Sequence, residues 1–350
     1  MKKMLSLALS LVMLMGVLVP AYATDGNIDA VEPQQEVVEP MGAEEDDNET
    51  EIIGLTDSYE AMIQGISAST SGTLALNIYF TVNEALRDAE GAYAMADGVK
   101  YPLSSLTIDE STGAYKITIS KVAKAFGDSV DFCVCLADGT VVKLYNSDRN
   151  EFEGDVAALS VRTYVERAVK SSDTRLVELV KAMSDYCNYA QLFFGYKTDE
   201  VSEIYNDVDA LVSASDFDQY TPSKTVASEE NAALSYYGSS LLLKDGTLIR
   251  HYFKLKSGSI KDWTATIDGV QYPLVRKGGY YYVQTSVAAK DLGIARHVEL
   301  SNADGVQITI DYSALSYGKT VFEKSEDANL LILVKALYLY NQAAVAYFNR

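Results

Sequence analysis

The sequence predicts an α+β protein of two similar modules, each an antiparallel β-sandwich-like unit closed by a C-terminal amphipathic helix. Three observations lead to this prediction. Sequence motifs recur in the same order along the chain, Asp-Gly turn signals separate short apolar runs, and a long run of helical periodicity ends each repeat.

The recurring motifs define two copies of the module. Three motifs of copy one return in copy two: DGVKYPL (97–103) as DGVQYPL (268–274), SKVAKAF (120–126) as SVAAKDL (286–292), and KAMSDYCNYAQLFFGY (181–196) as KALYLYNQAAVAYFNR (335–350). We therefore assign copy one to residues 56–197 and copy two to residues 231–350. Copy one has extra residues before and after its second motif, which loops absorb at small entropic cost.

Strands and tight turns precede the helix in each copy. Residues 73–82 and 247–255 are rich in apolar and aromatic side chains and predict strands. Asp-Gly pairs begin at residues 97, 138, 245, 268 and 304. Tight hairpins require positive φ, which Asp-Gly supplies, so turn chemistry accounts for these aspartates better than catalysis does.

The closing helix has one apolar face. In copy one its members step by four and three residues: Leu176, Val180, Met183, Cys187, Ala190 and Phe194. We expect this face to pack on the sheet of its own module. Asp173 or its neighbour Ser172 can cap the first helix and Ser325 the second. A further helix, at residues 161–169, is predicted as an addition in copy one.

The same helix carries a motif that resembles a known module. LVKAM at residues 179–183 is followed by Tyr186 and by Ala190-Gln191. This run resembles the closing helix of an uncharacterised tandem module of secreted and surface proteins of Gram-positive gut anaerobes, and the resemblance covers both copies. It implies export and modularity and no particular reaction. Both copies depart from the pattern at its glycine, where this chain has Cys187 and Asn341.

The amino terminus predicts export. Lys2 and Lys3 precede an apolar stretch at residues 4–19, and Ala21-Tyr22-Ala23 fits signal peptidase cleavage. The stretch is shorter than the roughly 20 residues that span a bilayer. We expect a signal peptide at residues 1–23, no membrane span after its removal, and a secreted, extracellular protein.

Acidic composition marks two segments outside the copies. Residues 24–55 hold eleven acidic residues and no Lys or Arg, which predicts a disordered spacer. Residues 198–230 hold nine acidic residues and one basic residue, which predicts a solvated linker with a short helix within 201–212. A calcium site among the linker aspartates is a weaker alternative, because their spacing matches no calcium loop.

Charge and motif content restrict the function. The chain has 29 basic and 49 acidic residues, a net charge of −20 that excludes nucleic acid and anionic lipid as partners. The two histidines, His251 and His297, fall in copy two without counterparts in copy one. The sequence has no nucleophile elbow, phosphate loop or His-x-x-x-His pair. We therefore expect no cofactor and no metal, and we favour a binding protein over an enzyme.

A tyrosine pair gives the binding site that we predict. In copy one, Tyr115, Ile117 and Ile119 share a strand face, and Tyr281, Val283 and Thr285 replace them in copy two. The opposite face of copy two then presents Tyr280, Tyr282 and Gln284. An exposed tyrosine pair suits stacking on a sugar or anchoring a protein. The alternative is that the tyrosines pack under a loop or against copy one.

The sequence thus favours a secreted, non-enzymatic binding or adhesion protein whose partner is an extracellular glycan or a host or cell-wall surface protein. One alternative is an extracellular hydrolase with an unrecognised carboxylate pair in copy two, because 49 acidic residues allow many such pairs. A second alternative is a structural spacer. Two facing carboxylates in a cleft are required for the hydrolase and not for the binding protein.

The three cysteines suggest one contact region. Cys133 and Cys135 share a strand face and correspond to Glu299 and Ser301, while Cys187 lies on the helix and corresponds to Asn341. Joint replacement by polar residues predicts that the helix crosses that strand face. We expect Cys187 near one of the strand pair, as thiols or as one disulfide, and Asn341 facing Glu299 or Ser301.

Overall fold

The computed structural model describes residues 60–69, 74–146, 151–227, 233–244 and 246–349. The signal peptide expected at 1–23 and the spacer expected at 24–55 lie outside the described residues. Within them the protein is α+β, with several antiparallel sheets and a C-terminal helix. We call residues 60–197 the N-terminal half and residues 223–349 the C-terminal half.

Two sheets form the N-terminal half. Its strands are β1 (Glu60–Ser69), β2 (Ala75–Val82), β3 (Tyr93–Ala96), β4 (Val99–Pro102), β5 (Tyr115–Ser120), β6 (Val130–Cys135), β7 (Lys143–Asn146), β8 (Glu151–Gly154) and β9 (Ala157–Leu159). The sheet orders are β5-β2-β1-β7-β8 and β4-β3-β6-β9, and among the described strands only β1 and β7 pair in parallel. Phe80 and Phe132 join the two inner faces, with ring centroids 5.1 Å apart.

Two sheets also form the C-terminal half. Its strands are β10 (Ser223–Val226), β11 (Leu234–Leu242), β12 (Leu248–Leu255), β13 (Thr264–Ile267), β14 (Val270–Tyr272), β15 (Val275–Lys277), β16 (Tyr280–Ser286), β17 (Arg296–Asn302) and β18 (Gly305–Tyr312). Their orders are β11-β12-β16-β15 and β10-β18-β17-β13-β14. Residues 223–226 were expected to belong to the linker, but they form β10, which pairs antiparallel with β18 and belongs to this sheet.

Two of the five predicted Asp-Gly turns have positive φ at both residues, and the pair that begins at residue 245 lies partly outside the described residues. Asp97 and Gly98 have φ of 54° and 75° between β3 and β4, and Asp268 and Gly269 have φ of 51° and 81° between β13 and β14. Positive φ at both central residues is the hairpin geometry for which Asp-Gly is favoured. A backbone hydrogen bond to the neighbouring strand also holds each turn, because the Asp97 and Asp268 amides donate to the carbonyls of residues 131 and 297.

Each half ends in two helices. The helices of the described chain are α1 (Glu84–Arg87), α2 (Val161–Ala168), α3 (Thr174–Phe193), α4 (Val208–Leu211), α5 (Ala314–Lys324) and α6 (Ala328–Phe348). The long helices α3 and α6 are capped by Asp173 and Asp327, so the cap expected at Ser325 is wrong. Helix α2 was expected as an addition found only in copy one. Helix α5 precedes α6 in the same way as α2 precedes α3, so α2 is not an addition.

Helices α3 and α6 pack against each other. The buried rings of Tyr186 and Tyr340 stack with centroids 5.6 Å apart and an interplanar angle of 16°. By length and composition alone, α6 is apolar enough to cross a membrane, with a mean hydropathy of 1.4. The sequence analysis expected no membrane span after removal of the signal peptide. In the fold, half of its most apolar stretch is buried, and the helix contacts α5 and α4.

The acidic segment that connects the halves packs against the rest of the fold over residues 198–227. The expected short helix is α4, and the side chains of Val208, Val212 and Phe217 are buried. The buried Asp185 carboxylate of α3 accepts the amides of residues 205 and 206 at 2.7 and 3.0 Å. A solvated linker is therefore the wrong description of residues 198–227, because apolar side chains and this carboxylate anchor them to the helices.

Candidate binding face on the C-terminal sheet

Strand alternation places the predicted residues on one side of the sheet β11-β12-β16-β15. Val283 points inward and is 1% exposed, whereas Tyr280, Tyr282 and Gln284 lie on the opposite face and are half-buried. The pairing of β12 with β16 sets Arg250 opposite Gln284. The same pairing sets residue 252 opposite residue 282. We call this side of the sheet the tyrosine face.

Arg250 lies on the tyrosine face in the same row as Gln284. Its Nε and Nη2 atoms donate to Gln284 Oε1 at 2.8 and 2.6 Å. Its guanidinium carbon lies 4.1 Å from the centroid of the Tyr282 ring. Arginine over a tyrosine ring is attracted by the quadrupole of the ring, so the guanidinium is held by one amide and one aromatic ring.

Two further tyrosines extend this face. Tyr237 is 49% exposed, and its ring centroid lies 4.4 Å from that of Tyr280. The bond between these two hydroxyls raises the pKa of Tyr237. Tyr252 tilts against Tyr282 at 6.3 Å. Because the tyrosines pack on one another and on Arg250, each of these rings is partly buried and partly accessible to solvent.

The tyrosine face departs from the charge of the rest of the protein. The four strands of its sheet contain no Asp or Glu and four basic residues: Arg250, Lys254, Arg276 and Lys277. The whole chain has 49 acidic and 29 basic residues. Lys277 pairs with Tyr280 and shares the tyrosine face, whereas Arg276 pairs with Tyr281 and points to the other side. A local basic surface therefore surrounds the tyrosines.

The corresponding face of the N-terminal half is different. By strand register, Asn77 takes the place of Arg250 and Lys116 the place of Tyr282. Asn77 is fully buried and forms hydrogen bonds with Ser67 and Thr118 at 3.1 and 2.8 Å. Lys116 lies 5.9 Å from the Tyr79 ring. Amide and hydroxyl groups thus satisfy one another there. Tyr79 matches Tyr252, but the guanidinium of Arg250 and the ring of Tyr282 have no counterpart in the N-terminal half.

Sequence reasoning missed Tyr237, Arg250 and Tyr252. Arg250 and Tyr252 alternate along β12, but only the register with β16 brings them beside Gln284 and Tyr282. The sheet register shifts between residues 236 and 238, where a bulge carries Tyr237. A bulge re-aims a side chain by breaking the alternation, so a pattern of period two does not find this residue.

The two histidines belong to different sheets and form no common site. His251 in β12 is fully buried in the core, and its Nδ1 atom lies 2.6 Å from Ser239 Oγ. Burial lowers the pKa of His251 to about 3. His297 in β17 is exposed, with its Nδ1 atom 2.7 Å from Asp311. A buried neutral ring and an exposed paired ring do not make a catalytic pair.

The carboxylates around His297 do not form the acid and base of a hydrolase. Glu299 Oε1 lies 3.4 Å from Nε2, so the imidazole separates the two carboxylates. Hydrogen bonds from Ser223 and His297 lower the pKa of Asp311, and the bond to Asp311 raises the pKa of His297. A general acid needs a raised carboxyl pKa. These residues form an exposed ion pair on an open sheet.

The cysteines do not share one contact region, so this prediction is wrong. Cys133 and Cys135 lie with Sγ atoms 3.8 Å apart in a small apolar cluster with Tyr93, on the outer face of β6. Cys187 belongs to the main core beside the 3₁₀ turn that contains Ala123. Asn341 donates to the carbonyls of residues 289 and 290, not to Glu299 or Ser301. The long helices pack on these turns and on each other instead of crossing the cysteine strand.

All three cysteines are free and buried, which makes their reactivity testable. Burial raises the pKa of Cys133 to about 12 and also raises the pKa of Cys187. Because the thiolate is the reactive form, we expect the native protein at pH 8 to react negligibly with a thiol-exchange reagent, and all three thiols to react after unfolding in guanidinium without reductant. A fast reaction of the native protein with the reagent, or reaction of fewer than three thiols after unfolding, would contradict this arrangement.

No protein-family model and no curated protein matches this chain. No group of three or more His, Cys, Asp or Glu residues in the described ranges is arranged to hold a metal ion. The tyrosine face is therefore judged on its own geometry.

Proposed function

We propose that this is an exported, non-enzymatic binding protein of two duplicated modules, and that the tyrosine face of the C-terminal module binds an extracellular glycan. The observation that carries the proposal is the contact set of Tyr282, Arg250 and Gln284 on a solvent-facing sheet. Tyrosine rings supply apolar area at low entropic cost, and fixed polar groups select orientation. The sugar ring offers the matching combination of C–H faces and hydroxyl groups.

The positions of the register shifts and the order of the strands in the sheets support the duplication. A shift of register lies between residues 63 and 65 in β1 and between residues 236 and 238 in β11. Strands β5-β2-β1 and β4-β3-β6-β9 have the same neighbours as β16-β12-β11 and β14-β13-β17-β18. An aspartate caps the closing helix of each half. Under this proposal each module is a β-sandwich-like unit, and β7 and β8 are additions to the first.

Export rests on the predicted signal peptide and on the resemblance of the α3 motif to modules of secreted proteins of Gram-positive gut anaerobes. We propose that α6 is a core helix and not a membrane anchor. Its N-cap, its stacked Tyr340 and the burial of Leu333, Val334 and Leu337 support this role, because they anchor the helix inside the fold.

The proposal is tested on a glycan array with the full chain from residue 24 onward. We expect retention on the bound glycans to fall by about tenfold or more in the double variant Tyr280→Ala/Tyr282→Ala. The reason is that a stacked aromatic ring contributes a large part of the binding free energy of such an interface. The melting temperature should change little, since both side chains lie outside the core. The matched control is Tyr79→Ala, on the corresponding face of the N-terminal half, which should retain binding.

Two results would overturn the proposal. Unchanged binding of every retained glycan by the double variant would remove the tyrosine face as the site. Loss of the folded state in that variant would show that the tyrosines are structural. Hydrolysis of a retained glycan would instead favour the enzymatic alternative.

A further inference from the structure

We propose that the ligand of the tyrosine face is an acidic glycan, and that Arg250 binds the carboxylate of a uronic acid residue. This inference rests on the proposed function and adds the chemical class of the ligand. It follows from the state of the Arg250 guanidinium, from the charge of the sheet around it, and from the contrast with the N-terminal half.

The guanidinium is already oriented. Of its five N–H donors, one on Nε and one on Nη2 bind the single acceptor Gln284 Oε1. The donors on Nη1 are not used in these bonds, and Arg250 is half-buried rather than covered. Stacking on Tyr282 at 4.1 Å fixes the plane of the group. Little rotamer freedom is therefore lost when a planar anion binds the remaining donors.

The partner that suits these donors is a carboxylate. Arginine binds planar carboxylates through parallel N–H···O bonds, which are stronger than neutral hydrogen bonds. A neutral sugar hydroxyl does not need a fixed cation, and Gln284 alone would serve it. The position that corresponds to Arg250 in the N-terminal half is the buried, uncharged Asn77, and the cation on that face is the lysine Lys116, which lacks the planar fork of donors.

The charge of the surrounding sheet favours the same ligand. A net charge of −20 repels anions in general. The strands of this sheet nevertheless contain no acidic residue, and Lys254 and Lys277 lie on the tyrosine face with Arg250. A short anionic chain that stays on this face contacts only the basic sheet. A larger polyanion would extend beyond it and be repelled by the acidic remainder of the protein. An acidic oligosaccharide is both anionic and short enough to stay on this face.

The experiment compares two probes of equal length, an oligogalacturonate and the neutral oligogalactan made from it by carboxyl reduction. We expect the full chain to bind the oligogalacturonate at least about tenfold more tightly, because hydrogen bonds between a guanidinium and a carboxylate are stronger than hydrogen bonds to a neutral hydroxyl. Arg250→Gln should remove most of this preference. Binding of the oligogalacturonate should also weaken as salt rises.

The matched control is Arg276→Gln, which makes the same change of charge in the same sheet but on the opposite side. Its affinity should stay within about twofold of the parent. Arg250→Lys keeps the charge and loses the fork of donors, so its affinity should lie between those of the parent and Arg250→Gln. Melting temperatures of all three variants establish that they are folded.

The outcomes separate this inference from the proposed function. Equal binding of the two probes, with loss in Tyr280→Ala/Tyr282→Ala, overturns the acidic ligand and leaves the tyrosine face as a glycan site. Binding of a sulfated glycan but not of the oligogalacturonate overturns the carboxylate. An equal loss in Arg250→Gln and Arg276→Gln shows only a general charge effect and overturns the role of Arg250. Failure of the tyrosine variant to affect any array ligand overturns the proposed function itself.

Discussion

Tyr186→Ala is expected to lower the free energy of unfolding by about 3–5 kcal/mol, the usual cost of removing a buried aromatic side chain. Tyr186 is 4% exposed and stacks on Tyr340. Its hydroxyl also forms a hydrogen bond with the Thr247 side chain, just before β12. A cavity of about 20 Å³ beside these residues holds no more than about one water, so the removed ring leaves a void that the surroundings fill poorly.

The measurement exploits the only tryptophan of the chain. Trp263 lies in the C-terminal half and packs, partly buried, against the core, whereas Tyr186 lies in α3 of the N-terminal half. If the contact of α3 with α6 couples the halves, Tyr186→Ala should move the urea midpoint of the Trp263 fluorescence transition. Tyr186→Phe is the matched control and should cost only about 0.5–1.5 kcal/mol, the worth of one hydrogen bond. An unchanged Trp263 transition in Tyr186→Ala would show that the halves unfold independently.

Local patterns were sufficient to predict much of the fold. Apolar runs and Asp-Gly turns located β2, β12 and the hairpins at Asp97 and Asp268, because strand and turn preferences depend on neighbouring residues. Helical periodicity located α3 and α6 for the same reason. The strand β10 was missed because its pairing with β18 joins residues 223 and 311. The residues next to a short, solvent-exposed strand in the sequence do not identify a partner strand so far along the chain.

Contacts between elements account for the wrong predictions. The sequence comparison of the two halves pairs Cys187 with Asn341, but that pairing does not tell which element each residue touches. Asn341 binds the 3₁₀ turn at residues 289–291, and Cys187 lies beside the matching turn. Joint replacement of three cysteines therefore reflected two separate environments. The tyrosine face was predicted only in part for a similar reason, since Arg250 joins it through the register of β12 with β16.

A chain of hydrogen bonds in the C-terminal core has no equivalent in the N-terminal core. The Tyr236 hydroxyl lies 2.7 Å from Ser239 Oγ, which lies 2.6 Å from His251 Nδ1. The register of the matching strands places the buried isoleucines 63, 66 and 78 at these positions. Nε2 of His251 has no hydrogen-bond partner, and the Tyr312 ring faces the imidazole edge-on at 5.8 Å. No carboxylate is among these contacts, so protonation of His251 is not compensated.

This arrangement predicts a loss of stability in acid. Burial lowers the pKa of His251 to about 3, whereas the pKa of an unfolded histidine is about 6.5. Between these values the unfolded state binds more protons than the folded state, so the free energy of unfolding falls as the pH falls through that window. His297 has the opposite sign. The bond to Asp311 raises its pKa, so its contribution is complete below the unfolded pKa and is lost as the pH rises through the folded pKa.

His251→Ile, which introduces the residue found at the matching position 78, should remove the acid-sensitive contribution of His251. From pH 7 to pH 4.5 the parent should lose about 2–3 kcal/mol through His251, because each pKa unit corresponds to about 1.4 kcal/mol. Urea unfolding followed by Trp263 fluorescence at both pH values measures the loss in each protein. The carboxyl groups titrate alike in parent and variant, so the difference between the two losses isolates the histidine. His297→Asn should not reproduce the effect. Equal losses in the parent and His251→Ile would mean that His251 is already solvated or protonated in the folded protein, and the buried neutral imidazole would have to be abandoned.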